Sequence, residues 1–150
     1  MMWNFSQYSN NIAVICEDGR QISYAELDEH SHMLAKQIMP RSLVFNFCSN
    51  TFGSLAGYVS CLQHGNVPLM LDQHIDHNLL NKFIELYRPD YLYIPKEKIS
   101  EFSFDTVYEA EGYILLKTPY RKVYPLHDDL ALLLTTSGSM GSPKFVRQSY

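Results

Sequence analysis

The stretch that most constrains the fold of this chain lies near its end, where an apolar run meets a loop of small residues. Residues 130–134 are continuously apolar, over a length that suits a strand buried on both faces. Residues 137–143 contain only Ser, Gly, Met and Pro, and Lys144 follows them. An alternating pattern then resumes at 145–148 and predicts a second strand. The order is therefore strand, loop, lysine, strand.

This loop has the chemistry that a phosphate-binding loop needs. Gly138 and Gly141 lack a Cβ atom, so backbone N–H groups can approach an anion closely. Three serines add hydroxyl donors, and Lys144 adds a compact positive charge. The pattern is not a Walker A loop, because no Gly precedes Lys144 and no helical pattern follows it. A Ser/Gly-rich hairpin turn is the alternative that composition alone would favour.

The order of these residues resembles the phosphate-binding signature of the adenylate-forming enzymes. That superfamily includes acyl- and aryl-CoA synthetases, adenylation domains of nonribosomal peptide synthetases and firefly-type luciferases, with the usual pattern Thr-Ser-Gly-Ser-Thr-Gly-x-Pro-Lys-Gly. The matching residues are Thr136, Ser137, Gly138, Ser139, Gly141, Pro143 and Lys144. Met140 stands where the family has Thr, which removes one hydroxyl, and Phe145 stands where it has Gly.

The resemblance implies a site and its ligands. The residues expected to bind the nucleotide are Thr136, Ser137, Gly138, Ser139, Met140, Gly141 and Lys144. The loop would hold the β- and γ-phosphates and neutralise charge as pyrophosphate departs, and Lys144 would be the catalytic residue that orients this group. ATP, Mg²⁺ and a carboxylic acid are implied for the intact enzyme, with CoA or a carrier-protein thiol as the acceptor. No residue of the chain is expected to ligate a metal.

Strand and helix patterns alternate through the rest of the chain. Ser23 and Glu26 form a capping box that begins the first helix, and the run Ser49-Asn50-Thr51 and Asp76 begin two others. Strands are predicted at 12–16, 21–24, 42–48, 66–72, 91–94, 106–108, 113–116, 123–124 and 130–134. The pattern predicts an α/β fold with a mainly parallel βαβ sheet, flanking helices and an N-terminal β-hairpin. The Ser-Tyr-x-Glu-Leu helix start and the 65–72 strand also resemble landmarks of the adenylate-forming large domain.

Two glycines predict a close contact in the second helix. Gly53 and Gly57 lie four residues apart and share one face of the helix that follows Thr51. Small residues at this spacing let a helix backbone approach a neighbouring element closely. We therefore expect this helix to pack tightly against another part of the fold.

Composition and charge argue against several functional classes. A net charge of −4 and a pI near 5.8 give no basic footprint for nucleic acid or an anionic membrane surface. The most apolar region, 43–62, is too polar for a membrane span, and residues 1–10 lack a signal-peptide pattern. Three cysteines, an odd number, predict buried reduced thiols in a cytoplasmic protein.

Two groups of histidines suggest other sites but fit them poorly. His74 and His77 lie near two aspartates, but they lack the ligand spacing of a metal site, so a solvated helix start is preferred. His127 precedes two aspartates and could suggest a triad with Ser137. No Gly-x-Ser-x-Gly turn accompanies it, however.

The resemblance covers the beginning of a longer enzyme. Residues 1–150 are expected to form the N-terminal part of an AMP-binding (adenylation) large domain that ends just after the phosphate-binding loop. The first hypothesis is the N-terminal piece of an ATP-dependent acyl-activating ligase, inactive alone. The second is a non-catalytic module that binds a nucleotide or a protein. Because 130–134 is apolar on both faces, the isolated chain is expected to self-associate or to be marginally stable. It is also expected to bind ATP weakly at best, because the resemblance places the adenine and ribose contacts in residues that follow this loop.

Overall fold

The computed structural model describes residues 2–135 and 145–150, which hold nine strands and three α-helices. The strands are β1 Ile12–Ile15, β2 Gln21–Ser23, β3 Leu43–Cys48, β4 Val67–Asp72, β5 Tyr91–Pro95, β6 Asp105–Ala110, β7 Tyr113–Lys117, β8 Leu130–Thr135 and β9 Phe145–Ser149. The α-helices are α1 Tyr24–Ala35, α2 Phe52–Gln63 and α3 His77–Tyr87, and short 3-10 helices lie at Ser6–Tyr8 and Lys96–Glu101. Within the described residues, none of these helices combines the length and apolarity that a bilayer crossing requires.

The N-terminal hairpin and the start of α1 follow from local sequence. β1 and β2 pair antiparallel around a turn in which Gly19 has a φ of 86°, a conformation that favours glycine. The Ser23 hydroxyl accepts a hydrogen bond from the Glu26 backbone N–H at 3.2 Å, and the Glu26 carboxylate accepts one from the Ser23 N–H at 2.7 Å. Both the predicted hairpin and the predicted capping box are confirmed.

Seven strands form one mixed sheet in the order β6-β7-β5-β3-β4-β8-β9. β3 pairs parallel with β4 and β5, and β4 pairs parallel with β8. These four strands are the βαβ core that the alternating pattern predicts. Antiparallel strands extend it on both sides, with β7 and β6 beyond β5 and with β9 beyond β8. The predicted α/β class is confirmed.

Helices cover the two faces of the sheet differently, because successive side chains of a strand point to opposite faces. Helix α3 packs Leu80 and Phe83 on the face that carries Phe45. Helices α1 and α2 pack Leu34 and Cys61 on the other face, which carries Val44 and the aromatic residues Tyr91 and Tyr93. The alternation along β3 therefore separates two apolar layers.

The close packing predicted for α2 is confirmed. A Cβ atom at Gly57 would overlap the Tyr93 ring and would lie 2.9 Å from the Asn46 side-chain oxygen. A Cβ atom at Gly53 would overlap the Glu111 carbonyl oxygen and would lie 2.7 Å from the Tyr113 ring. The absence of two side chains thus lets α2 lie directly on β5 and on the turn before β7.

The strand predicted at 123–124 is wrong. This segment belongs to an irregular connection between β7 and β8, in which Lys122 has a φ of 43°. The Lys122 backbone N–H donates to the Asp90 carboxylate at 2.6 Å, and the Tyr124 hydroxyl donates to the Leu86 carbonyl at 3.1 Å. These tertiary hydrogen bonds replace the ladder that two β-prone residues suggest.

The strand at 130–134 is confirmed as β8, but it is not buried on both faces. Ala131 and Leu133 are buried, Leu133 in the layer that α3 covers, whereas Leu134 is 38% exposed. Leu132 is only half-buried. Helices α1 and α2 cover β3, β5 and β7 on this second face. In the described residues this cover does not extend over β8.

Candidate functional site

The residues that the sequence proposes for the site lie outside the described residues. They are Thr136, Ser137, Gly138, Ser139, Met140, Gly141 and Lys144. The structure does describe the strands on either side of them. β8 ends at Thr135 and β9 begins at Phe145, and these two residues are paired across the antiparallel ladder. The motif therefore connects two hydrogen-bonded strand ends.

The strand end at Thr135 lies at a defined edge of the sheet. Because β3, β4, β5 and β8 run in one direction, their carboxyl ends share this edge. Met70 pairs with Leu134, so Thr135 lies level with Leu71, one residue before β4 ends. β8 thus ends beside the carboxyl end of β4.

This edge also contains a topological switch point. β3 connects through α2 to β4 on one side, whereas β4 connects through α3 to β5 on the other side of β3. The two helices accordingly lie on opposite faces of the sheet. In open α/β sheets, ligands bind in the crevice that such a reversal opens beyond the carboxyl ends of the strands.

Hydroxyl groups form a hydrogen-bonded chain where β3 ends. The Ser49 hydroxyl lies 2.7 Å from the Tyr113 hydroxyl and 2.9 Å from that of Thr51. Tyr113 in turn donates to the Phe47 carbonyl at 2.9 Å. The Thr51 side chain also caps α2, since it accepts from the Ser54 N–H. These linked hydroxyl groups fix the turn that brings the amino end of α2 to this edge.

The end of β4 leads into the predicted start of α3. The Asp72 carboxylate accepts a hydrogen bond from the His74 N–H at 2.7 Å. Asp76 caps α3 by accepting from the Leu79 N–H at 3.0 Å, as its position in the sequence predicts. The side chains of His74 and His77 are exposed beside these caps, in agreement with a solvated helix start.

A cavity of about 900 Å³ opens at the same edge, on the α2 side of the sheet. The β1–β2 hairpin, the start of α2 and the turn at Glu111 enclose it. Its lining is mostly apolar and includes Ile15, Leu55 and Met70. No local pattern in the sequence predicts this cavity, because its walls come from distant segments of the chain.

An ion pair closes one side of this cavity. Arg20 donates to both Glu111 carboxylate oxygens, at 2.6 and 3.3 Å, and its guanidinium lies 5.6 Å from the centre of the Phe52 ring. The hydrogen bond and charge of Glu111 raise the pKa of Arg20, and the hydrogen bond from Arg20 lowers the pKa of Glu111. The pair links the N-terminal hairpin to the β6–β7 turn, which is 91 residues away in the sequence.

All three cysteines are free thiols, but only Cys61 is fully buried. Burial raises the pKa of Cys61 to about 12 and also raises that of Cys48. Cys16 and Cys48 are half-buried and line the cavity. The prediction of reduced thiols is confirmed, and the prediction that all three are buried is wrong. The two thiols that are not fully buried therefore belong to segments that line the cavity.

Comparison with known proteins gives matches over almost the whole chain. The sequence model of a family described as AMP-binding enzyme matches residues 2–150. The D-alanine–D-alanyl carrier protein ligase of Streptococcus pyogenes serotype M3 is 26% identical over 141 residues. That alignment covers 88% of this chain and 28% of the relative, so the chain spans less than a third of the relative's length.

Solved structures share the fold. The apo structure of MatB from Rhodopseudomonas palustris superposes with a TM-score of 0.71 at 20% identity, over 94% of this chain and 32% of that one. The O-succinylbenzoate coenzyme A synthetase of Bacillus subtilis, in complex with ATP and magnesium ion, superposes with a TM-score of 0.67 at 18% identity. This match covers 95% of the chain and 40% of that one. At these identities the likeness establishes the architecture alone.

Proposed function

Because the chain belongs to the AMP-binding enzyme family, we propose that it is the N-terminal part of an ATP-dependent ligase that activates a carboxylic acid. In this reaction a carboxylate oxygen attacks the α-phosphorus of ATP, and the bond to the β-phosphate breaks. Acyl-AMP and pyrophosphate are the products. A thiol of CoA or of a carrier protein then takes the acyl group and releases AMP.

One observation supports this proposal most directly. The signature that begins at Thr136 follows a strand whose end lies beside β4, at the edge where α2 and α3 leave for opposite faces. This is the edge at which α/β sheets bind nucleotides. A Ser/Gly-rich hairpin turn elsewhere in the fold would have no such neighbourhood.

The proposed roles follow from the charges involved. Pyrophosphate gains negative charge as it leaves, so donors fixed around it lower the barrier. Backbone N–H groups and serine hydroxyls of the motif would supply these donors, and Lys144 would supply a positive charge. The chain as a whole carries a net charge of −4, so attraction of the nucleotide depends on these local groups.

Magnesium would reach this site with the nucleotide. Within residues 2–135 and 145–150, no group of three or more His, Cys, Asp and Glu side chains is arranged to hold a metal ion. Mg²⁺ is commonly held by substrate phosphates together with one or two carboxylates, so we infer that it would bind as a companion of ATP. When bound, it would neutralise phosphate charge.

Phe145, which departs from the family signature, has a structural role. Its ring packs edge-on against Phe83 at 5.1 Å and against Tyr87 at 4.8 Å, measured between ring centres. These contacts hold the start of β9 on α3. The side chain that replaces glycine therefore anchors the strand on the far side of the motif.

The second candidate function is a non-catalytic module that binds a nucleotide or a protein. The observation that favours it is the open face of β8 and β9, where Leu134 and Val146 are 38% and 40% exposed. An exposed apolar patch of this kind is typical of a contact surface. The two candidates differ in whether the protein catalyses exchange between ATP and pyrophosphate.

The test is Lys144→Ala in the complete gene product, assayed by carboxylate-dependent ATP–pyrophosphate exchange. We expect a loss of roughly 10²–10³-fold with an unchanged thermal midpoint, as for the removal of one preorganised charge contact. The exposed Lys82 of α3, changed to Ala, is the matched control and should retain wild-type exchange.

Exchange by Lys144→Ala within twofold of the wild type would contradict the role proposed for this residue. If the wild type binds ATP but catalyses no exchange with any of a panel of carboxylic acids, the non-catalytic module is the better explanation. Calorimetric titration of the wild type with ATP shows whether the nucleotide binds when no exchange is catalysed.

A further inference from the structure

Arg41 contacts carbonyl groups from two distant parts of the chain. It lies just before β3, and its Nη1 donates to the Gly65 carbonyl at 3.0 Å. Its Nη2 donates to the Leu130 carbonyl at 2.8 Å and also reaches the carbonyls of Asp128 and His127. Gly65 lies two residues before β4, and Leu130 begins β8. One guanidinium thus links the starts of two neighbouring parallel strands.

The backbone at Arg41 disfavours this residue. Its φ is 58°, in the left-handed region where a side chain with a Cβ is disfavoured and glycine is not. Its Nε is buried and has no hydrogen-bond partner among the described residues. Two local features therefore oppose an arginine here, and the bonds of its guanidinium offset them.

The paired register between β8 and β4 is short. The parallel register between them consists of Leu69 with Leu133 and Met70 with Leu134. The connection that precedes β8 is irregular and largely exposed. A slip by one residue would move the carboxyl end of β8 by about 3.3 Å and would exchange its two faces. A link at the start of the strand resists this slip.

We propose that Arg41 is a positioning residue that fixes the register of β8 on β4 and thereby the point from which the phosphate-binding motif begins. This inference rests on the proposed function, because only a nucleotide site at Thr136–Lys144 makes the register matter for activity. Arg41 lies at the amino edge of the sheet, opposite the site, and acts through the strand between them.

The experiment compares Arg41→Gly with Arg88→Gly in the complete gene product. Arg88 also has a left-handed backbone, with a φ of 45°, and among the described residues its guanidinium makes no hydrogen bond. Both changes relieve the same backbone conformation, but only the first removes the link to β8. Arg41→Lys keeps the charge and loses the fork that can reach both strands.

We expect amide hydrogen exchange in 130–135 to become about tenfold faster in Arg41→Gly and to stay unchanged in Arg88→Gly, since a bond from a charged donor is lost. The KM for ATP in pyrophosphate exchange should rise about tenfold, while the KM for the carboxylic acid stays within twofold. Arg41→Lys should fall between the wild type and Arg41→Gly, and it replaces Arg41→Gly if that variant does not fold.

Two results would overturn the inference. One is unchanged exchange of the β8 amides in Arg41→Gly. The other is faster exchange of these amides with an unchanged KM for ATP, which would make Arg41 purely structural. A wild-type protein without ATP–pyrophosphate exchange would instead overturn the proposed function, and with it the link from β8 to activity. The amide data would then show only whether Arg41 holds the strand.

Discussion

β7 and β8 have similar apolar sequences but very different surroundings. β7, Tyr113–Lys117, has four fully buried residues, with Ile114 on the α3 side and Leu115 on the side of α1 and α2. β8, Leu130–Thr135, is buried only toward α3. An apolar strand can be buried on both faces, but the helices that cross it decide whether it is. We call β3, β5 and β7 the closed half of the sheet, and β8 and β9 the open half.

The two halves differ in what they contribute to the proposed site. The closed half holds interlocked side chains, including Tyr93, whose hydroxyl donates to the Gly53 carbonyl at 3.0 Å. The open half carries the strand ends on either side of Thr136–Lys144. A rigid frame on one side and an accessible edge on the other are what a ligand-binding α/β sheet requires.

The largest difference in stability between the halves should appear when one leucine in each half is changed to alanine. Leu115→Ala removes a side chain that is 0% exposed, and we expect a loss of about 2–5 kcal/mol in the free energy of unfolding. Leu134→Ala removes one that is 38% exposed and should cost less than about 1 kcal/mol. Urea denaturation of both variants measures the difference. Equal losses would show that the open face of β8 is covered in solution.

A glycine in the closed half provides the next test. An Ala in the middle of a helix normally stabilises it by roughly 0.5–1 kcal/mol over Gly. At Gly57 the added methyl group would meet the Tyr93 ring, so we expect Gly57→Ala to destabilise the protein by about 1–3 kcal/mol.

The control for this prediction is the same change in a Tyr93→Leu background. If the ring is the obstacle, Gly57→Ala should cost less there, and the two changes will not be additive. A stabilising effect of Gly57→Ala alone would contradict the close packing of α2 on β5. Thermal unfolding of the four proteins provides the comparison.

Local chemistry predicted much of this fold. The cap at Ser23 and Glu26, the cap at Asp76 and the small residues at Gly53 and Gly57 are each specified by a few neighbouring residues. Wherever the signal was non-local, the prediction was incomplete. The face of β8 that stays open depends on where α1 and α2 cross the sheet, which periodicity does not encode.

The candidate site shows the same division. The signature from Thr136 to Lys144 can be recognised in the sequence, and its assignment to phosphate binding remains a prediction. The ion pair of Arg20 and Glu111 could not be predicted, because its members are 91 residues apart and each resembles an ordinary surface charge. Arg41 gave no signal either, since neither its left-handed backbone nor its carbonyl partners can be read from its neighbours.

The smallest effect that we expect is a pH dependence located at the ends of α1 and α2, beside the closed half. His64 follows α2, and its ring meets the His32 ring edge-on at 4.6 Å between centres. Burial, followed by the proximity of His32, holds the pKa of His64 below its ordinary value, while Asp28 acts in the opposite direction. The unfolded chain therefore binds the proton more readily. Stability should fall as the pH drops through about 6.5 and below.

His64→Gln removes this titrating group together with its interaction with His32, and it keeps every other titrating residue. Between pH 7.5 and 5.5, the wild type should lose about a few tenths of a kcal/mol more than the variant, once solvent screening of a partly exposed group is allowed for. The lowered pKa values of Glu26 and Glu111 act only below their ordinary value of 4.5, outside this interval. Urea titrations at both pH values make the comparison. An equal loss in both proteins would show that His64 is not the cause. A wild type that gained more stability than the variant on acidification would contradict the predicted direction of the effect.

The faster amide exchange that accompanies the loss of stability should appear at the ends of α1 and α2 rather than in β8, because the titrating group lies there.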